Sequence, residues 1–228
     1  MSLRVVLYAE GPGEDRGEDV WLPEPGELLP PDSLGAAHHL VARVIASVHT
    51  IPTAAIRFVS PLRLQGRPHR GSDLLLTRNL RRLLTFASPP RRPDLAVVMV
   101  DEDEQPSRRK DLVASTQDLP LRSVVAVPVR EFEAWLIGDH ASVRSLLGVT
   151  GSPPAPETMA RREAKRLLTN WMEAAIAADS SQRAEPRTVQ QLRAHLAQQC
   201  DLTTLERLAA FQQFREDLRH RLREHSSP

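Results

Sequence analysis

Acidic residues follow three of the apolar segments in the first half of this sequence, and their types and spacing suit the binding of a metal cation. The five acids are Glu10 after residues 3–9, Asp101 and Asp103 after residues 95–100, and Glu131 and Glu133 after residues 123–129. Residues two apart in an extended chain face the same side, with Cα atoms roughly 6–7 Å apart. Asp101 and Asp103 can therefore address one shared site, while Glu102 turns away.

Crowding these carboxylates together has a physical consequence. Like charges at short range disfavour ionisation, so the acids would be protonated or displaced unless a cation lies among them. Oxygen ligands with no nearby histidine or cysteine favour Mg²⁺, Mn²⁺ or Ca²⁺ over zinc. The structural alternatives are a solvated loop at 101–104, first-turn acids at Glu131 and Glu133 that favour a helix dipole, and a turn at Glu10. Both interpretations stay open at this point.

Four apolar runs are typical of buried β-strands, and helical patterns lie between them. The runs cover residues 3–9, 55–60, 95–100 and 123–129, and helices are predicted at 34–48, 72–87 and 107–117. Nearly continuous apolar strands separated by helices are what a parallel sheet covered on both faces produces. We therefore predict an α/β, three-layer fold with a mainly parallel sheet of about four strands. The carboxyl ends of such strands share one edge, where open α/β sheets bind ligands.

The remainder of the chain has the pattern of helices. Prolines at 153, 154 and 156 mark a break, and amphipathic helices are predicted at 157–178, 189–199 and 203–225. The chain accordingly divides into an α/β domain at 1–150 and a helical C-terminal extension at 151–228 that packs on it. These helices could serve a homodimer or a docked partner, or simply cover one side of the sheet.

Composition excludes several classes of protein. The chain has 228 residues, of which 41% are hydrophobic, enough to bury a substantial core. Its apolar runs fall short of the 18 or so residues that a membrane span needs, so no membrane partner is expected. The single cysteine, Cys200, cannot form an internal disulfide, which favours a cytoplasmic location. An aromatic content of 4% argues against a single-strand binding platform built by stacking.

Charge is balanced in total but segregated along the chain. The 30 basic and 29 acidic residues nearly cancel, yet residues 57–92 hold nine arginines and one acid. Such a basic segment can bind the phosphates of a nucleic acid. The residues predicted to make these contacts are Arg63, Arg67, His69, Arg70, Arg78, Arg81 and Arg82. The alternative is a solvated loop and helix face without a ligand.

Three acidic motifs carry a resemblance to a known family. They are Glu10-Gly11-Pro12-Gly13-Glu14, Asp101-Glu102-Asp103 and Glu131-Phe132-Glu133-Ala134-Trp135-Leu136. Together they resemble the bacterial domain-of-unknown-function family 4276, which is similar to topoisomerase–primase (TOPRIM) domains, including those of OLD-type nucleases. The resemblance extends over most of the chain, and the Glu-Phe-Glu-Ala-Trp stretch is its most distinctive part.

The resemblance implies a TOPRIM-like fold for residues 1–150 and a nuclease that hydrolyses phosphodiester bonds with Mg²⁺ or Mn²⁺. Glu10, Asp101 and Asp103 would be its catalytic residues. The implied metal ligands are Glu10, Glu14, Asp101, Asp103, Glu131 and Glu133. The implied partners are nucleic acid, DNA in the first place, and an ATPase, within an anti-phage defence system.

Two further functions stay open. The same fold could retain its acids and act as a catalytically silent partner subunit or sensor that works with an ATPase. It could also be a metal-dependent phosphohydrolase that acts on a small phosphate ester. Cleavage of DNA that requires a metal would separate the nuclease from the silent subunit.

Overall fold

A four-stranded parallel sheet forms the centre of the computed structural model, which describes residues 2–11, 23–64, 72–86, 91–179 and 188–223. Its strands are β1 (Leu3–Ala9), β2 (Ile56–Val59), β3 (Leu95–Met99) and β4 (Ser123–Ala126). The spatial order is β2-β1-β3-β4, and each neighbouring pair is parallel. Aliphatic residues dominate the strands because both faces of the sheet are buried. The predicted α/β fold with a parallel sheet is confirmed.

Ten α-helices accompany the sheet in the described part of the chain. Those between the strands are α1 (Ala36–Val48), α2 (Ser72–Leu75), α3 (Thr77–Leu83) and α4 (Arg108–Thr116). Those after the sheet are α5 (Phe132–Gly138), α6 (His140–Leu147), α7 (Glu163–Asp179), α8 (Val189–Gln199), α9 (Leu202–Leu205) and α10 (Ala209–Arg223). None of the described helices is long and apolar enough to cross a membrane.

The two faces of the sheet bury separate apolar clusters. Alternate residues of β1 point to opposite sides, so Val5 and Leu7 lie in one cluster and Val6 and Tyr8 lie in the other. The first cluster contains side chains of α1 and of α5 to α10, and the second contains side chains of α2, α3 and α4. The sheet is therefore the middle of three layers, as the alternation of strands and helices predicts.

The C-terminal helices belong to the larger of these clusters. Helix α8 packs against α1, and α10 packs against β4. Trp135 of α5 contacts the rings of Phe211 and Phe214 at centroid distances of 5.2 and 5.7 Å. The residues before and after position 150 thus share one core, and the division of the chain at that position stays a prediction.

One predicted helix is split. The sequence pattern extends over residues 203–225, whereas the structure has α9 and α10 with a turn at 206–208 between them. The turn brings Leu208 close to Gly138 at the end of α5, where an added Cβ would lie 2.8 Å from a Leu208 methyl carbon. A continuous helical pattern in the sequence does not reveal such a tertiary contact.

The strand order brings the acidic segments together. Strand β3 lies between β1 and β4, so the carboxyl ends of these three strands are side by side at one edge of the sheet. The Glu10 N–H donates to the Met99 carbonyl at 3.1 Å, and the Val100 N–H donates to the Ala126 carbonyl at 3.0 Å. The chain therefore leaves each strand from an adjacent position, at the edge where parallel sheets bind ligands.

Candidate functional site

Glu10 and Asp101 are in direct contact at this edge. The Asp101 N–H donates to a Glu10 carboxylate oxygen at 2.9 Å. The Asp101 carboxylate in turn accepts the Phe132 N–H at 2.9 Å, which is one of the free donors in the first turn of α5. These two hydrogen bonds tie the end of β1 to the end of β3 and to the start of α5. Two of the three predicted catalytic residues are therefore adjacent.

Glu131 lies at the junction of two helices. It is the N-cap residue of α5, with extended backbone angles, and it is 5% exposed. Its carboxylate accepts the Lys165 N–H from the first turn of α7 at 2.9 Å. Burial raises the pKa of Glu131 first of all, and the neighbouring Glu133 charge raises it further, against the opposing Lys165 hydrogen bond. The Glu131 carboxylate therefore caps the first turn of α7, and it also lines the site beside Glu10 and Asp101.

The ionised form of Glu10 is disfavoured in this position. Burial is the main reason that the pKa of Glu10 is raised, and the negative charge of Asp103 adds to the shift. The Asp101 N–H and the guanidinium groups of Arg108 and Arg161 oppose it without cancelling it. A cation beside Glu10 would reverse the balance, because an opposite charge at short range favours the ionised carboxylate.

Asp103 is held by arginines. Arg161 contacts both of its oxygens, with Nε 2.9 Å from Oδ1 and Nη2 3.2 Å from Oδ2. Arg108 lies 3.6 Å from Oδ2, and the same guanidinium group donates to the Asp101 carbonyl. Arg108 is buried at 5% exposure, so it forms a fixed cationic support beneath the Asp101–Asp103 loop.

These acids line one cavity together with a basic segment. The cavity has a volume of about 950 Å³. Its acidic wall from the sheet edge consists of Glu10, Asp101, Asp103 and Glu131, with Gly11 beside them. The rest of the lining comes from the segment that leads into α7: Ala160, Arg161, Arg162, Glu163, Lys165 and Arg166. The cavity therefore combines carboxylates that suit a metal cation with bases that suit a phosphate.

Sequence reasoning missed the basic segment. Four of its six residues at 161–166 are arginine or lysine, and they lie about 30 residues beyond the last predicted acid. The run Arg-Arg-Glu-Ala-Lys-Arg is the signal that could have revealed it, since four of its six residues are basic. The helix predicted at 157–178 concealed it, because charged residues on a helix are usually solvated. In the structure α7 begins at Glu163, so Arg161 and Arg162 precede the helix.

Backbone strain is concentrated around this cavity. In the part of the chain that the structure describes, the non-glycine residues with positive φ are Asp103 (53°), Glu104 (64°), Arg130 (67°) and Arg162 (63°). Asp103 and Arg162 line the cavity, and the other two are sequence neighbours of cavity residues. Such conformations cost about 1–3 kcal/mol each and cluster at functional sites. The strain is independent support for function at this edge of the sheet.

The donors present fit a hard divalent cation. All the candidate ligands are carboxylate oxygens, and no histidine or cysteine lines the cavity, which suits Mg²⁺ or Mn²⁺. Burial is the first cause of the raised pKa of Glu10, and a cation beside it would oppose that shift. Among the residues described here, however, no three histidine, cysteine or acidic side chains are close enough to hold a metal ion. Asp103 is instead turned to the Arg161 guanidinium, which stands in for a cation.

Glu133 is near Glu131 but is paired with a different group. It is 1% exposed, it does not line the cavity, and its Oε1 is 3.1 Å from Nη2 of Arg193 on α8. Glu131 and Glu133 therefore diverge although they are two residues apart. The proposed role of Glu133 as a metal ligand stays a prediction.

The predicted nucleic-acid contacts are only partly described. Arg63 donates to the Pro23 carbonyl at 2.6 Å, and it follows β2 at the same edge of the sheet as Glu10. The other described members are Arg78, Arg81 and Arg82, which are exposed on α3. None of these four lines the cavity. The remaining predicted site residues, Glu14, Arg67, His69 and Arg70, lie outside the described ranges.

Comparison with known proteins adds little to this geometry. No family model matches the chain, and no curated protein matches it. Among solved structures, the C-terminal region of the Burkholderia pseudomallei OLD protein is similar over 100% of both chains, with 12% sequence identity and a TM-score of 0.36. A likeness of this degree carries no weight for the site or the function. Membership of family 4276 stays a prediction from the acidic motifs.

Proposed function

We propose that this protein is a Mg²⁺- or Mn²⁺-dependent hydrolase of phosphodiester bonds in nucleic acid. The observation that carries the proposal is the composition of one cavity. Carboxylates at the ends of β1 and β3 share it with the basic residues that precede and begin α7. A cation and a phosphate group, the two components of metal-assisted phosphoryl transfer, would each find complementary side chains there.

The residues divide into two roles. Glu10, Asp101 and Asp103 would hold the cation, which supplies an activated water and neutralises the charge that develops on the leaving oxygen. Arg162, Lys165 and Arg166 would bind and orient the phosphate, because guanidinium and ammonium groups are the usual partners of phosphate oxygens. Glu131 would fix the distance between the two groups, since it lies in the acidic wall and accepts the Lys165 N–H.

The arginines outside the cavity support a polymeric substrate. Arg78, Arg81 and Arg82 are exposed on α3, where they could contact phosphates that flank the reacting one. A polymeric substrate uses such additional contacts, whereas a small phosphate ester does not. DNA is the substrate we propose first, with a role beside an ATPase in phage defence as the resemblance implies.

A second function is favoured by one specific observation. Asp103 is paired through both oxygens with Arg161. In the part of the chain that the structure describes, no three acidic side chains are close enough together to hold a metal ion. A catalytically silent subunit or sensor would keep such an ion pair permanently. The two proposals differ in whether Asp103 is available to a cation.

The experiment is cleavage of a supercoiled plasmid by the purified protein in Mn²⁺ and in EDTA. We expect nicking or linearisation only with the metal, and loss of cleavage in Asp101→Asn and Asp103→Asn. Glu102→Gln is the matched control, because it removes one charge from the same loop but its side chain does not line the cavity. No cleavage with Mn²⁺ or Mg²⁺ would contradict the nuclease and would favour the silent subunit.

A further inference from the structure

Asp103, one of the proposed cation ligands, is already paired with Arg161. The guanidinium fork contacts both carboxylate oxygens, at 2.9 and 3.2 Å, although the two residues are 58 positions apart in the chain. Both oxygens of the Asp103 carboxylate therefore have a positive charge beside them. A divalent cation that approaches Asp103 is therefore repelled by the Arg161 guanidinium, because the two positive charges would lie close together.

We propose that Arg161 is a displaceable counter-ion that competes with the divalent cation for Asp103. The inference rests on the proposed metal site. Without the cation, Arg161 neutralises Asp103 and keeps the acidic wall incomplete. When the cation binds, Asp103 turns to it and the Arg161 side chain is released into the cavity.

The surroundings of the two arginines on Asp103 show why Arg161 is the one that leaves. Arg108 is 5% exposed and also donates to the Asp101 carbonyl, so it is fixed on two sides. The Arg161 side chain is 49% exposed, and its residue precedes the start of α7 at Glu163. Water screens the exposed Arg161 guanidinium more than the buried Arg108, so Arg161 is the easier of the two to displace from Asp103.

Release of Arg161 also changes what the cavity can bind. Its guanidinium group joins Arg162, Lys165 and Arg166, which line the same cavity. A phosphate group that enters with the cation would then meet one more fork-shaped donor. Binding of the cation and binding of the phosphate become coupled, because each favours the state in which Arg161 has left Asp103.

Calorimetric titration with Mn²⁺ tests the competition. The full chain is first dialysed against EDTA and then against metal-free buffer, and three proteins are compared: wild type, Arg161→Gln and Arg166→Gln. Both substitutions remove one positive charge from the same cavity, so any general change in electrostatic potential is common to them. We expect Arg161→Gln to bind Mn²⁺ about two- to fivefold more tightly than Arg166→Gln, the range for release of an exposed ion pair.

The outcomes separate the counter-ion from the metal site itself. Equal affinity in the two variants, or weaker binding in Arg161→Gln, would overturn the counter-ion while leaving the cation site in place. No binding in any of the three proteins would overturn both proposals. Binding that appears only in Arg161→Gln would support the competition in its strongest form. Thermal unfolding of each variant shows that it is folded, and Arg161→Lys, which keeps the charge but loses the fork, should fall between wild type and Arg161→Gln.

Discussion

Replacing Glu133 by alanine separates a structural role of this side chain from a role as a metal ligand. Glu133 is 1% exposed and Arg193 is 6% exposed, and their charged groups are 3.1 Å apart. Removing the glutamate leaves a buried guanidinium without its negative partner, which typically costs about 3–5 kcal/mol of stability. For a chain of this size, one kcal/mol corresponds to about 2–4 °C in Tm, so we expect Tm to fall by roughly 6–20 °C.

A double substitution shows whether the loss comes from the unpaired charge. Replacing both Glu133 and Arg193 by leucine removes the charges and keeps apolar volume in the core. Buried ion pairs exchanged for apolar residues often lose little stability, so this double variant should be more stable than Glu133→Ala. Urea denaturation in EDTA measures the free energy of unfolding for each variant. A loss below about 1 kcal/mol in Glu133→Ala would refute the buried ion pair as the function of Glu133.

Metal binding provides the second half of the test. In Glu133→Gln, assayed at a temperature where the protein is folded, we expect Mn²⁺ affinity to stay within about twofold of wild type, since a side chain outside the cavity acts only through a screened field. Glu131→Gln is the matched comparison on the same turn, because Glu131 does line the cavity. Loss of Mn²⁺ binding in Glu133→Gln, with Glu131→Gln unaffected, would show that the assignment of the two glutamates is reversed.

Three more predictions follow from the same charges. Glu10→Gln should raise Tm in EDTA at pH 7, because burial and the Asp103 charge raise the pKa of Glu10 and so disfavour its ionised form in the fold. The gain should vanish below the ordinary carboxyl pKa, where wild-type Glu10 is protonated both folded and unfolded, and an equal gain at both pH values would contradict this origin. Mn²⁺ at about 100 times its Kd should add about 2.7 kcal/mol of stability to wild type and much less to Asp101→Asn, as measured by Tm. Replacing Arg78, Arg81 and Arg82 by glutamine should weaken DNA binding and reduce the slope of log K against log salt by about 0.9 for each lost phosphate contact. An unchanged slope would show that α3 does not contact DNA.

The fold could be predicted largely because strands of a parallel sheet are apolar along their whole length. The predicted strand at residues 3–9 has the same bounds as β1, and the others differ at their ends. The run at 123–129 shows why ends are harder: β4 stops at Ala126, and Pro128 has no N–H with which to continue the ladder. Apolar character continues beyond the hydrogen bonds, so hydropathy alone extends the strand too far.

The acidic side of the site could be predicted from topology, and its basic side could not. Glu10 and Asp101 come together because adjacent parallel strands must end at one edge, which is a rule that applies to any such sheet. The pairing of Arg161 with Asp103 depends on where a later segment returns to the sheet, 58 residues along the chain. No local pattern specifies that return.

Glu131 and Glu133 are two residues apart, as Asp101 and Asp103 are, but they lie at the start of a helix. Residues two apart face the same side in a strand, but in a helix they are separated by about 200° around the axis. Glu131 occupies the N-cap position of α5 and lines the cavity, whereas Glu133, inside the helix, reaches Arg193. The spacing that unites Asp101 and Asp103 after a strand therefore separates the two glutamates.

The choice between an enzyme and a silent subunit reduces to one equilibrium at Asp103. If the cation outcompetes Arg161, the acidic wall is complete and a released guanidinium faces the substrate. If Arg161 stays on Asp103, the two residues form a stable ion pair and the cavity remains a binding surface. Because the Arg161 side chain is 49% exposed, water weakens its attraction to Asp103, and a divalent cation can compete with it. A cation that binds only the Arg161-free state shifts the population in proportion to its concentration relative to its Kd. Metal concentration alone could then convert one function into the other. The backbone is strained at Asp103 and at Arg162, which follows Arg161, and such strain persists only where other contacts hold the segment in place.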